Sequence, residues 1–225
     1  MFLLSNPNGS YGVNARELAQ IIQVTYKTAW LMYHKIRYAI SQADSEVLLT
    51  DIVRVSDSIL HQRMFQLKNW YETEQPVIAA SSEDAEGNVK YVKIKLQPRP
   101  LQPIRGYPRD ATSFMKQHVS PEAVYTTDIS MKWGRKRQNH KLRRLCVSAA
   151  YSIATTYGGI GSKHLQAYLD QYAYIDNHFH EPIFDILLYE CSTRSTITYS
   201  CLTRTAPKRS NRITRASEAM IVMSC

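Results

Sequence analysis

The sequence DIVRVSDSI occupies residues 51–59 and is dominated by β-branched and apolar side chains. This composition favours a buried β-strand. Residues 89–96 alternate as VKYVKIKL, a pattern typical of a half-exposed strand. Pro76–Ser81 predicts a third strand, and Glu83–Asn88 with its single glycine predicts the turn that joins it to residues 89–96. We therefore expect a sheet built around residues 51–59.

Helical patterns are mixed with these strands. A short apolar strand is predicted at Ala123–Thr127, and Asp128 follows at its end. We expect helices at Asp110–Val119, Ser162–His178 and Ile183–Glu190, the first two capped by their own first residues. Strands mixed with helices in this way predict an α/β fold.

The clearest helical signals lie in Gly12–Ser41. Asn14 followed by Glu17 predicts a capping box at the start of a short helix. A second helix is predicted over Tyr26–Ile40, after a break at residues 23–25. If the backbone in this break is left-handed at Gln23, the absence of a glycine there costs roughly 1 kcal/mol.

A short helix, a tight turn and a longer helix form the outline of a helix-turn-helix. The longer helix begins with Tyr26, Lys27 and Thr28 and also carries Lys35. These four side chains are the candidate DNA-binding residues. An ordinary helical hairpin with a solvated basic edge would have the same spacing, and both interpretations stay open.

The positive charge of the chain is local. The 225 residues contain 28 Lys and Arg against 19 Asp and Glu, a net charge of +9 that suggests a polyanionic partner. Lys132–Arg144 contains seven basic residues and no acid, and Ser192–Cys225 contains six basic residues and one acid. The rest of the chain is slightly acidic, so an argument for nucleic acid from net charge depends on these two segments.

Composition also limits the class of protein. The longest dense apolar stretch is about Phe184–Tyr189, far short of the roughly 18 residues that a membrane span needs. The four cysteines form no CxxC pair and no zinc-ligand spacing. We expect a protein of the cytoplasm, associated with the nucleoid if it binds DNA, without membrane contact and without a structural zinc site.

Three blocks resemble, in the same order, segments of the ISXO-like insertion-sequence transposases, which are DDE enzymes. They are GVNARELA, VTYKTAW and HKIR within residues 12–37, VYTTD at residues 124–128, and TYGGI, KHLQ and YLD within residues 156–170. The resemblance covers most of residues 12–190. It begins close to the start of the chain, without the zinc ribbon of the family, so we expect a truncated or degenerate copy.

The resemblance implies an N-terminal helix-turn-helix followed by a ribonuclease H-like mixed-sheet domain with flanking helices. The corresponding ranges are 1–45 for the DNA-binding region, 46–190 for the transposase domain and 191–225 for a poorly ordered basic tail. The implied substrate is double-stranded DNA at insertion-sequence ends, bound by a homo-oligomer. The implied chemistry is strand cleavage and transfer with Mg²⁺ or Mn²⁺ held by carboxylates.

Two acids are the candidate catalytic residues and metal ligands, namely Asp128 and Asp57. The family motif VEVDE aligns without gaps so that Arg54, Ser56 and Asp57 stand where Glu, Asp and Glu are expected. Ser56 then replaces the catalytic aspartate. A shift by one residue would give the role to Asp57, but such a shift moves every side chain to the other face of the sheet unless the strand bulges.

The third acid is missing from its expected place. Arg143 stands about where the family has a glutamate, and no acid occurs between Asp128 and Asp170. The basic run Lys132–Arg144 lies where the match dissolves, which indicates either a local frameshift in a decayed copy or a diverged loop that contacts DNA phosphates. We expect a catalytically impaired transposase. The alternatives are a non-catalytic DNA-binding module and a pseudogene product that does not fold.

Overall fold

The computed structural model describes residues 12–61, 74–98, 111–128 and 140–204. Within these ranges the chain forms four strands and seven helices. The strands are β1 (Ile52–Leu60), β2 (Gln75–Glu83), β3 (Val89–Leu96) and β4 (Val124–Asp128). The helices are α1 (Ala15–Ile21), α2 (Tyr26–Glu46), α3 (Thr112–His118), α4 (His140–Tyr157), α5 (Ser162–Asn177), α6 (Ile183–Thr193) and α7 (Tyr199–Thr203).

The strands form one mixed sheet in the order β3-β2-β1-β4. β1 pairs antiparallel with β2, and β2 pairs antiparallel with β3. β4 returns through α3 and pairs parallel with β1. The four strands expected from the sequence are therefore confirmed, and the fold belongs to the α/β class.

Helices cover both faces of this sheet. On one face, Val53 and Val55 of β1 pack with Phe114 of α3. On the other face, Leu60 of β1 packs with α4 and α5 in a cluster that includes Cys146. Because side chains alternate along a strand, alternate residues of the same strands belong to the two hydrophobic clusters. The sheet is the middle layer of three.

Helix α5 also covers the free edge of β3. The side-chain amide of Asn177 accepts a hydrogen bond from the backbone N–H of Val92 at 2.8 Å and donates one to its carbonyl at 3.0 Å. Gln166 accepts from the N–H of Leu96 at 2.7 Å and donates to the carbonyl of Ile94 at 3.0 Å. These amides satisfy backbone groups that an open edge strand would leave unpaired.

The first two helices follow the expected pattern. Asn14 and Glu17 form the predicted capping box. Gln23 in the turn has a φ of 55°, which is the left-handed backbone conformation considered from the sequence. α2 continues six residues past the predicted end at Ile40, to Glu46, because its last turns gain partners on β3 and α5 that local sequence does not reveal.

Several predicted boundaries differ from the structure. The N-cap of α5 is Gly161 and not Ser162, which is the first helical residue. Asp110 was predicted to cap the helix that corresponds to α3, and it lies outside the described residues. No helix was predicted over residues 140–157, where α4 forms. Where a poorly ordered tail was predicted from residue 191, α6 continues to Thr193 and α7 follows; residues 205–225 lie outside the described part.

None of the helices in the described ranges combines the length and the apolar character that crossing a bilayer requires.

Candidate nucleic-acid interface

Ser56 and Asp128 occupy facing positions on neighbouring strands. In the parallel ladder between β1 and β4, Ser56 is the partner of Asp128, the last residue of β4. Partners in a parallel register share a face of the sheet. The structure thus brings the middle of β1 next to Asp128 at the end of β4. The residue of β1 at this position is Ser56.

Asp57 lies on the opposite face. The β1–β2 ladder runs from Ile52 to Leu60 in continuous register, with Asp57 opposite Ile78. Without a bulge, alternation places Asp57 on the face that carries Val53 and Val55. The structure therefore does not bring Asp57 and Asp128 to one face, and the metal-binding and catalytic roles of both acids remain predictions.

The described residues do not fit a centre for two divalent ions. No group of three or more His, Cys, Asp or Glu side chains with the geometry for a metal ion occurs among them. Ser56 offers a neutral hydroxyl, a weak ligand for a hard cation compared with a carboxylate. On the same face Arg54 donates to Glu83 at 2.7 Å, so this carboxylate is engaged by a guanidinium.

The four candidate DNA-binding residues lie on the exposed side of α2. Tyr26 is 59% exposed, and Lys27, Thr28 and Lys35 are exposed as well. The hydroxyl of Thr28 lies 2.9 Å from that of Thr25, the N-cap. The first turn contains no acid, and the positive end of the helix dipole favours anions there. This end of α2 has the charge and the accessibility that a phosphate contact needs.

Lys27 also touches the C-terminal part of the described chain. Its ammonium lies 4.3 Å from the ring centroid of Tyr199 in α7. The indole of Trp30 meets the same ring edge-on at 6.1 Å. Nearby, Lys163 of α5 donates to the carbonyl of Arg204 at 2.7 Å. The segment predicted to be a poorly ordered tail therefore contacts the start of α2.

The opposite side of α2 is buried against the sheet domain. Arg37 is 1% exposed, and its Nε donates to Gln171 of α5 at 2.7 Å. Its guanidinium lies 3.8 Å from the ring centroid of Tyr168 and 5.2 Å from those of Tyr33 and Tyr157. Arg37 Nη2 has no hydrogen-bond acceptor in the part of the chain that the structure describes. A buried cation among three rings thus links α2 to α5 and α4.

A buried ion network fixes the last turns of α2. The Asp44 carboxylate accepts from Lys95 at 2.7 Å and from Lys93 at 3.2 Å, and Lys93 also donates to the Asp44 carbonyl. Lys95 reaches Asp170 of α5 at 2.7 Å, and Ser41 donates to the same aspartate at 2.7 Å. The predicted ranges 1–45 and 46–190 therefore share a charged interface.

The pKa values in this network shift in physically consistent directions. Burial would raise the pKa of Asp44, but the ammonium groups of Lys95 and Lys93 hold it below its usual value. Burial raises the pKa of Asp170. Burial also lowers the pKa of Lys93, which is completely enclosed, although Asp44 opposes that shift. Such groups are stable inside a protein only when paired, so the network is a structural lock between α2, β3 and α5.

His34 of α2 and His164 of α5 bring their rings together at a tilt of 57°. The rings of His34 and His164 are 4.8 Å apart, and Trp30 lies 4.1 Å from His34. Burial, with help from Arg37 and His164, lowers the pKa of His34 to about 3. His34 is therefore neutral at physiological pH and packs as an aromatic group.

Sequence reasoning missed the burial of Lys93 and Lys95. Their alternation in VKYVKIKL predicts a solvated face, yet acids from α2 and α5 close over them. Both acids come from helices that are distant in the chain, so the local pattern of β3 carries no sign of them.

The chain matches no protein-family model, no curated protein and no solved structure.

Proposed function

We propose that this chain is a DNA-binding protein of the insertion-sequence transposase type whose strand-cleaving activity is impaired. It binds duplex DNA through the exposed start of α2. Its α/β domain is of the ribonuclease H-like kind, and its first catalytic acid is replaced by Ser56.

The observation that carries the proposal is the pairing of Ser56 with Asp128. A DDE enzyme needs one acid in the middle of the first strand and another at the end of a later strand, so that both reach the same metal ions. Here the two positions are neighbours on one face, in a mixed sheet with helices on both faces. The arrangement suits such a site, whereas the residue at position 56 does not.

The surface of α2 supports the DNA-binding part of the proposal. Lys27 and Lys35 are exposed on a helix whose other side is locked to α5 by Arg37 and Asp170. Because the helix is already ordered, binding to a phosphate backbone does not carry the entropic cost of ordering it. Two lysines and the helix N-terminus supply a modest set of contacts that depend on salt.

The test uses a labelled duplex that carries the insertion-sequence ends flanking the gene, with Mg²⁺ present. We expect binding that weakens with salt, and no nicking. The logarithm of the DNA-binding constant falls linearly with the logarithm of the salt concentration. Lys27→Gln or Lys35→Gln should each make this negative slope less steep by about 0.9. Lys116→Gln on α3 is a matched control, because Lys116 is also exposed but belongs to a different helix from Lys27 and Lys35.

Two results would contradict the proposal. The first is efficient nicking that Asp128→Ala abolishes, which would show a working acidic site. The second is the absence of duplex binding at low salt. Binding without nicking would also fit a repressor or competitor of intact transposase copies, and the replacement of an acid by Ser56 makes that role the second candidate.

A further inference from the structure

A groove of about 800 Å³ lies between the α1–α2 turn and the loop from α4 to α5. Its volume falls in the range of sites that enclose a small organic ligand. On one side it is bounded by Gln20, Gln23 and Tyr26, and on the other by Tyr157 and Ile160. It opens directly beside the start of α2.

Aromatic rings form much of its lining. Tyr26, Trp30, Tyr157 and Tyr168 all border the groove. The exposed ring of Tyr26 stands at the rim. Flat π surfaces in a solvent-accessible groove favour a flat ligand that can stack on them, and nucleobases stack on such rings whatever their sequence.

The charge of the lining favours an anionic ligand. Arg16 borders the groove, and no carboxylate does so among the described residues. Behind the rings of Tyr157 and Tyr168 lies the buried guanidinium of Arg37, with an Nη2 that lacks an acceptor in the described ranges. A peptide with acidic side chains would match the charge but would leave the stacking surfaces unused.

We propose that this groove binds an unpaired nucleobase at the end of a DNA strand, with the adjoining phosphate near Arg16. The inference rests on the proposed DNA-binding function and names the part of the DNA that the site takes. The amides of Gln20 and Gln23 supply donors and acceptors for the edge of the base. The start of α2 contacts the duplex, and the groove receives the base that projects from it.

The experiment compares two labelled duplexes of equal length by fluorescence anisotropy. One has blunt ends and the other carries a single unpaired thymidine at one end. We expect the full chain to bind the second duplex roughly tenfold more tightly, since stacking of one base has about this effect. An abasic overhang with the same phosphate should remove the preference, because it has no base to stack.

Variants then assign the preference to the groove. Tyr26→Ala should remove the preference, so that the two duplexes bind with about equal affinity. Tyr151→Ala should leave it intact, because Tyr151 on α4 is also an exposed tyrosine (72%) but does not line the groove. Lys35→Gln should weaken the binding of both duplexes by the same factor. Thermal melts of the variants verify that each is folded.

The outcomes separate the two proposals. If both duplexes bind equally, or if Tyr26→Ala keeps the preference, the groove inference is wrong while duplex binding stands. If neither duplex binds, the proposed function fails, and free oligothymidylate tests the groove alone. If the unmodified protein binds oligothymidylate and Tyr26→Ala does not, the inference is supported. If the unmodified protein does not bind oligothymidylate, the inference is overturned.

Discussion

Ser56 in β1 is the direct partner of Asp128 at the end of β4. Ser56 is 2% exposed, so the hydroxyl sits inside the sheet domain and not on its rim. The neighbouring acid, Asp57, is turned to the other face by the pleat of the strand. A single change of residue type at position 56 thus separates this sheet from one with an acid at both positions of this pair.

The turn before α2 offers a direct test of backbone strain. Gln23 holds a left-handed φ of 55°, which glycine adopts without a steric penalty. We predict that Gln23→Gly raises the free energy of unfolding by up to about 1 kcal/mol. Gln23→Ala, which keeps the β-carbon, should not stabilise the protein. Urea denaturation measures both variants, and equal stabilities of the two would argue against strain at this residue.

The buried network predicts a large difference between two aspartates. Asp44→Asn leaves the enclosed ammonium of Lys93 without its carboxylate, and we expect a loss of about 3 kcal/mol or more. The matched control is Asp51→Asn, because Asp51 pairs with Lys90 at 3.0 Å where both side chains are about half exposed. An exposed pair contributes at most about 1 kcal/mol. Similar losses for the two variants in urea denaturation would contradict a locking role for Asp44.

Acid should destabilise the protein through His34. The pKa of His34 is about 3 in the folded chain and about 6.5 when unfolded, so below pH 6.5 the unfolded state binds the extra proton. Stability therefore falls as the pH drops from 6.5 towards 3. Between pH 7 and pH 4.5 we expect this residue to cost about 2.5 kcal/mol.

The control for this pH dependence is a pair of variants. His34→Phe keeps an aromatic ring beside Trp30 but cannot take up a proton, so it should make the decline between pH 7 and pH 4.5 shallower. Part of the decline should remain, because burial also lowers the pKa of His118, to about 4. His180→Gln replaces an exposed histidine and should keep the full decline. Chemical denaturation at several pH values gives the slopes. A slope in His34→Phe as steep as that of the unmodified protein would rule out His34 as the cause.

Local signals in the sequence predicted the elements better than their assembly. The capping box of Asn14 and Glu17 and the β-branched run at residues 51–59 are short-range patterns, and both were confirmed. Helix α4 was missed because its first turns lie in a basic run that suggested a frameshift or a loop. Its apolar face becomes evident only when Leu142 and Cys146 are seen against the sheet.

The candidate site shows the same limit. Exposure of Lys27 and Lys35 was expected from helical spacing, and the structure agrees. The catalytic position in the first strand was undecided, because the gapless alignment gave it to Ser56 and the alignment shifted by one residue gave it to Asp57. The pairing of Ser56 with Asp128 depends on β1 and β4, which are more than 60 residues apart in the chain, and local pattern carries no information about such contacts.

The most direct test of the central claim is the change in melting temperature of Ser56→Asp when Mn²⁺ is added. We predict that this variant melts below the unmodified protein, because it places a carboxylate at the buried position 56, and that Mn²⁺ raises its melting temperature by several degrees. The rise should be absent in the Ser56→Asp/Asp128→Asn double variant, in the unmodified protein, and in Ser152→Asp, where the new acid is buried in α4. A rise of the same size in the unmodified protein that Asp57→Asn abolishes would show that the chain has kept its first acid, and would contradict the account.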